Sequence, residues 1–149
     1  MPSTQDPYDL HRYVEAQAAN FDEALAELRA GKKRAHWSWY VFPQIQGLGS
    51  SAMSVRYAIR SLPEARAYLA HEVLGPRLRE CVESMNAHRG VSARDVLGDI
   101  DAQKFHSCLT LFAEAAPFED VFSKALGKYF GGQLDGATLA ILAKQQRGA

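Results

Sequence analysis

The chain has 149 residues, with 17 lysines and arginines against 17 aspartates and glutamates, so its formal charge is zero and no long-range field recruits nucleic acid or an anionic membrane. A single domain of this length buries roughly 68 to 70% of the unfolded chain's surface and needs no staple to hold it. The two cysteines, Cys81 and Cys108, sit in apolar-periodic segments with neither CxxC nor metal-ligand spacing, which predicts reduced core thiols, no metal site and no cofactor.

The opening MPSTQDPYDL lacks a basic region before an apolar core, and nowhere do 18 apolar residues run together, so a cytoplasmic protein with no membrane partner is expected. Asn20 and Glu23 have capping-box spacing, and Phe21, Leu25 and Leu28 share a face that Gly31 ends; this predicts a short helix over 21–30. The next stretch, HWSWYVFPQIQGLGSS, gathers Trp37, Trp39, Tyr40 and Phe42 beside a glycine-spaced connection. Ser51 can cap a segment running to Arg60, and Ser61 with Glu64 repeats the box ahead of a segment ending near Ala70, with a break at Pro63. Pro76 suits the first turn of a helix carrying Leu78, Cys81, Val82 and Met85, closed by Gly90. Ser92 and Asp95 open a brief turn to Leu97. Asp101 can cap the most regular segment, where Phe105, Cys108, Leu109 and Phe112 form a stripe. After Pro117, the residues Phe118, Val121, Phe122 and Tyr129 resume the period until Gly131 and Gly132, and Asp135 can start a last helix with Leu139 and Leu142.

Alternation of apolar and polar residues is confined to Trp37, Trp39 and Val41, too little to build a sheet. The prediction is therefore an all-α fold: a single compact domain over 1–149, of seven or eight short helices, with short flexible ends at about 1–7 and 146–149.

Two places could carry chemistry. The four aromatic residues cannot share one helical face, so the segment is either core on several sides or the wall of a pocket. Trp37 and Trp39 point in different directions, and Trp39, nearer the loop, is the one expected to reach a pocket. Phe42 would join it as a wall. Gln44 and the accessible backbone of Gly47, Gly49, Ser50 and Ser51 would hydrogen-bond a ligand, and Arg56 or Lys104 would balance its charge. GLGSS is neither GxGxxG nor a P-loop, and capping alone explains its serines. On the most regular helix, Lys104 and Ser107 stand one turn apart and could edge the same cleft; a Ser-Lys nucleophile would need their side chains within hydrogen-bond reach. No catalytic residue is identified. The expected ligand is a small polar or phosphorylated metabolite, nucleotide-type molecules among them, and the rival reading is a protein-interaction module that docks through an exposed aromatic loop.

The runs WYVFPQIQGLG, YAIRSLPEARAYL, VLGPRLREC and SCLTLF, in this order over nearly the whole chain, resemble the bacterial domain-of-unknown-function family 1810. The resemblance implies a mainly helical fold and no particular reaction. The calpastatin label that such proteins often carry does not fit, because a calpastatin inhibitor is a disordered polypeptide and this chain has the apolar content and caps of a folded domain.

Overall fold

A computed structural model describes residues 6–147. Among them are nine helices: α1 (His11–Ala30), α2 (Ser38–Val41), α3 (Ala52–Arg56), α4 (Leu62–Ala70), α5 (Leu74–Asn86), α6 (Ala93–Leu97), α7 (Asp99–Ala115), α8 (Asp120–Phe130) and α9 (Gly136–Arg147). The fold is all-α, with one helix more than expected. The extra one is α2, a single turn where the alternation of Trp37, Trp39 and Val41 suggested extended chain.

Helix α1 begins ten residues before the expected start. The Asp6 carboxylate accepts from the backbone N–H groups of Leu10 (2.8 Å) and His11 (3.0 Å), satisfying donors at the helix entry. From there Tyr13, Gln17, Phe21, Ala24 and Leu28 form one buried stripe, in which the polar Gln17 hid the period from sequence. Asn20 is thus mid-helix and donates to the Tyr40 hydroxyl instead of capping. At the other end Gly31 takes the left-handed conformation (φ 80°) that closes the helix.

Helix α3 stops at Arg56, short of Arg60, because residues 57–60 extend to meet the chain after α2. Ile45 and Ile59 form a parallel bridge, with Gln46 N–H donating to the Ile59 carbonyl (2.7 Å) and Ile59 N–H to the Gln44 carbonyl (2.8 Å). The break between α3 and α4 therefore lies at this bridge. Pro63 sits inside the first turn of α4, where its missing N–H costs nothing, and the Ser61 hydroxyl accepts from Glu64 N–H as expected. Helix α5 ends at Asn86, ahead of Gly90. Helix α6 has the full Ser92–Asp95 capping box. Helix α7 starts at Asp99, so Asp101 lies in its first turn and pairs with Lys33 (2.8 Å) in place of capping. Phe118 leaves the expected stripe of α8 and is 82% exposed, since it precedes the helix start at Asp120. Asp6 holds α1 and α9 continues to Arg147; the remainder of the expected flexible ends, 1–5 and 148–149, lies outside the described residues.

Helix α7 is the centre. Phe105, Cys108, Leu109, Leu111 and Phe112 are fully buried, and α2, α4, α6, α8 and α9 all pack against it. Each such side chain contributes about 1.5 to 3 kcal/mol relative to exposure, which is why the helix with the clearest stripe ends up innermost. Helix α1 packs on α5 and α2, so the aromatic segment is clamped between α1 and α7. Among the described residues no helix is long and apolar enough to cross a membrane.

Candidate functional site

Trp37 enters the core. It is fully buried, its ring lies 5.9 Å from Phe42, and its indole N–H donates to the Glu27 carboxylate at 2.9 Å. Glu27 also accepts from the backbone N–H groups of Arg34 (2.8 Å) and Ala35 (3.1 Å). Burial pushes the Glu27 carboxyl up, but these donors and the nearby Lys33 hold it below the usual carboxylate range. The Lys33 ammonium sits 4.9 Å over the Trp37 ring. Phe42, expected as a pocket wall, is also core. It is 1% exposed and packs 4.8 Å from Phe105, because the single turn of α2 carries it under the chain toward α7. Tyr40 is buried as well, its carbonyl accepting from the Gln17 amide at 2.6 Å. Of the four aromatic residues, Trp39 alone keeps partial exposure.

Trp39 is different. It is only half-buried, the Lys104 ammonium stands 4.6 Å over its ring, and it forms one wall of a cavity of about 180 Å³. Gln44, Gly47 and Gly49 line the same cavity, together with Ser54, Val55, Tyr57 and Ala58. Ile45, which bridges to Ile59, lines it as well. Of the expected ligand groups, then, Trp39, Gln44, Gly47 and Gly49 converge, with Lys104 attached to the far wall through Trp39.

The others are placed elsewhere. Ser50 is exposed and outside the cavity lining. The Ser51 hydroxyl accepts from Ser54 N–H at 3.1 Å and contacts the Ser54 hydroxyl at 2.9 Å; it caps α3, and a helix of five residues offers no anion site of its own. Ser107 is 1% exposed and belongs to a buried cluster between α7 and α9. Its hydroxyl donates to Asp135 at 3.0 Å, and the same carboxylate accepts from the Thr138 hydroxyl (2.6 Å), the Thr138 backbone (3.1 Å) and the Gln103 amide (3.2 Å). Burial pushes the Asp135 carboxyl up, yet the donors from Thr138 and Ser107 win and hold it below the usual range. Lys104 points to Asp101 and Trp39 while Ser107 points to Asp135, so no Ser-Lys nucleophile forms.

Arg56 reaches a second chamber, of about 310 Å³, lined by Asp9, Arg12, Arg60 and the residues Gln46, Val55 and Ala58 that also line the first. The two chambers adjoin at these three residues, along one groove-like face. Beneath it Arg12 is buried against Glu64 (3.0 Å) and donates to the carbonyls of Arg56 (2.8 Å) and Ala58 (2.9 Å), while the Tyr13 hydroxyl donates to the Tyr57 carbonyl (2.7 Å). Residues 56–58 are therefore held from below, and the groove wall is set before any ligand arrives. Sequence reasoning missed Arg12, Asp9 and Arg60. The bonds of Arg12 to Arg56, Ala58 and Glu64 and that of Arg60 to Tyr8 cross more than forty residues of chain, which no local pattern reports.

Both thiols are inert in this arrangement. Cys81 and Cys108 are free and buried, and burial pushes the Cys81 thiol up to about 12 and the Cys108 thiol well above the ordinary value.

Residues 7–142 match the family described as protein of unknown function, DUF1810, and the chain belongs to it. Among solved structures, the conserved hypothetical protein Rv1873 from Mycobacterium tuberculosis is similar, with a TM-score of 0.91 at 51% identity, over 93% of this chain and 99% of that one. No curated protein matches the chain.

Proposed function

We propose that this DUF1810 member binds a small polar metabolite, phosphorylated ones included, in the groove walled by Trp39. The observation that carries the reading is convergence: Trp39, Gln44, Gly47 and Gly49 meet around one cavity, two of whose other lining residues, Gln46 and Ala58, are held by hydrogen bonds to Ile59 and Arg12. A flat part of the ligand stacks on the half-buried indole, and a polar part bonds the Gln44 amide and the backbone of the Gly47–Gly49 loop. Lys104, poised over Trp39, keeps positive charge at that wall. Two buried free thiols suit a reducing compartment, and the binding is assigned to the bacterial cytoplasm.

The test is a thermal-shift screen of unselected metabolites on the wild type and on Trp39→Ala. A compound that raises the wild-type midpoint and leaves that of Trp39→Ala unmoved supports the reading. Shifts that survive the substitution, or a panel of several hundred common metabolites without one shift, would remove it.

A further inference from the structure

The first chamber is small. At about 180 Å³ it lies below the roughly 300 to 1,000 Å³ of ordinary ligand sites, so it suits a single ring and little else. The second, of about 310 Å³, adjoins it at Gln46, Val55 and Ala58, and its character differs. Trp39 and Ile45 make the first partly apolar, whereas the second is walled by side chains of Asp9, Arg12, Arg56 and Arg60.

These charges are not equivalent. Arg12 is neutralised by Glu64 and spends its remaining donors on backbone carbonyls, so it shapes the groove and has little left for a ligand. Arg60 shares the same carboxylate through its Nε (3.0 Å) and gives its Nη2 to the Tyr8 carbonyl (3.1 Å), with a side chain about half exposed. Arg56 is exposed and gives only its Nε, to the Tyr57 hydroxyl at 3.2 Å. Three guanidiniums thus stand against the carboxylates of Asp9, Glu64 and, near Arg56, Glu15, and what sets the recess apart is its unspent donors, the two Nη groups of Arg56 and the Nη1 of Arg60. Such a recess fits one compact anionic group. A polyphosphate would crowd Asp9 with uncompensated negative charge.

Resting on the metabolite reading above, we infer that the ligand is bipartite: a flat hydrogen-bonding ring in the Trp39 chamber, joined through a short neutral spacer over Gln46 to a single phosphate monoester held by Arg56 and Arg60. A nucleoside 5′-monophosphate has this layout. Arg56 is the residue that selects for the charged end, because its guanidinium is uncommitted except for one bond.

The experiment titrates the four common nucleoside 5′-monophosphates, the four matching nucleosides and inorganic phosphate into the full chain, reading tryptophan fluorescence and thermal midpoint. Arg56→Gln is the variant. Arg94→Gln, which removes an exposed arginine on α6 paired with Asp99, is the control. At least one monophosphate should bind about tenfold or more tightly than its nucleoside, the size expected for hydrogen bonds to a charged group. Arg56→Gln should erase that difference, Arg94→Gln should keep it, and added salt should weaken the monophosphate alone. If a nucleoside and its monophosphate bind equally well in a Trp39-dependent way, the ligand stops at the first chamber; the bipartite inference then falls and the metabolite reading stands. If no monophosphate binds the wild type, the inference also falls, and the metabolite screen decides the broader reading separately.

Discussion

Trp37 and Trp39 lie two residues apart on the same short turn, yet one is packed on every side and the other is half-open to a cavity. The same parting occurs on α7, where Lys104 reaches the Trp39 wall and Ser107, one turn later, points into a closed cluster around Asp135. Both pairs teach one thing. Nearness in sequence, even along a single helix, does not assign two side chains to the same environment, because about 100° of rotation per residue moves neighbours between surfaces.

The largest expected effect lies on the buried side. Trp37→Ala removes a fully buried ring and leaves Glu27 without its indole donor, so it should lower stability by about 3 to 5 kcal/mol in chemical denaturation. Trp39→Ala should lose far less. Equal, large losses would erase the contrast and make the whole aromatic segment core.

Next comes the closed cluster on α7. Asp135→Ala leaves the hydroxyls of Ser107 and Thr138 without their acceptor, at a cost of about 1 to 3 kcal/mol. The pH dependence follows from the direction of its shift. The folded-state pKa lies below the unfolded value of about 3.9, so Asp135 contributes stability that is present above about pH 4 and lost as pH falls through the folded pKa. Asp135→Asn should therefore show a shallower loss of stability between about pH 5 and 2 than the wild type. An identical acid limb in both proteins would show that the carboxylate is not held as its hydrogen bonds imply.

On the open side, Trp39→Ala should cost about 1 kcal/mol or less, because the ring has less packing to lose, while abolishing the thermal shift from any ligand that stabilises the wild type. A variant that keeps the ligand shift would leave the cavity without its proposed wall.

The smallest effect expected is none. Under native conditions Cys81 and Cys108 should resist thiol reagents for as long as the protein stays folded, since both are buried and held as neutral thiols. Rapid labelling, or a mass showing an 81 to 108 bridge, would mean that α5 and α7 open more readily than their packing allows.

Local patterns were sufficient for much of the fold. The Ser61 cap, the Ser92–Asp95 box, and Gly31 and Gly131 as left-handed ends act where they were read, because caps depend on atoms within a few residues; only the return half of the Ser61 box is missing, the Glu64 carboxylate being taken by Arg12 and Arg60. The stripe of Phe105, Cys108, Leu109 and Phe112 likewise announced a central helix, since a 3.6-residue period is a property of the chain itself. The start of α1 was illegible because Gln17 interrupts its stripe, and Gln17 is buried only by virtue of partners from residues 40 and 68. The end of α3 was illegible too, since the bridge from Ile45 to Ile59 that stops it joins two segments with no local signal for each other.

For the site, composition and spacing reached Trp39, Gln44, Gly47 and Gly49, residues that share one short connection and so stay together however the helices pack. Whether Phe42 or Ser107 would join them depended on which way a turn and a helix face the core, and that is decided by the packing of α1 and α7 around the aromatic segment. Arg12 beneath the groove belongs wholly to the tertiary structure. A guanidinium can hold carbonyls 44 and 46 residues away only after folding has removed the water that would otherwise satisfy both.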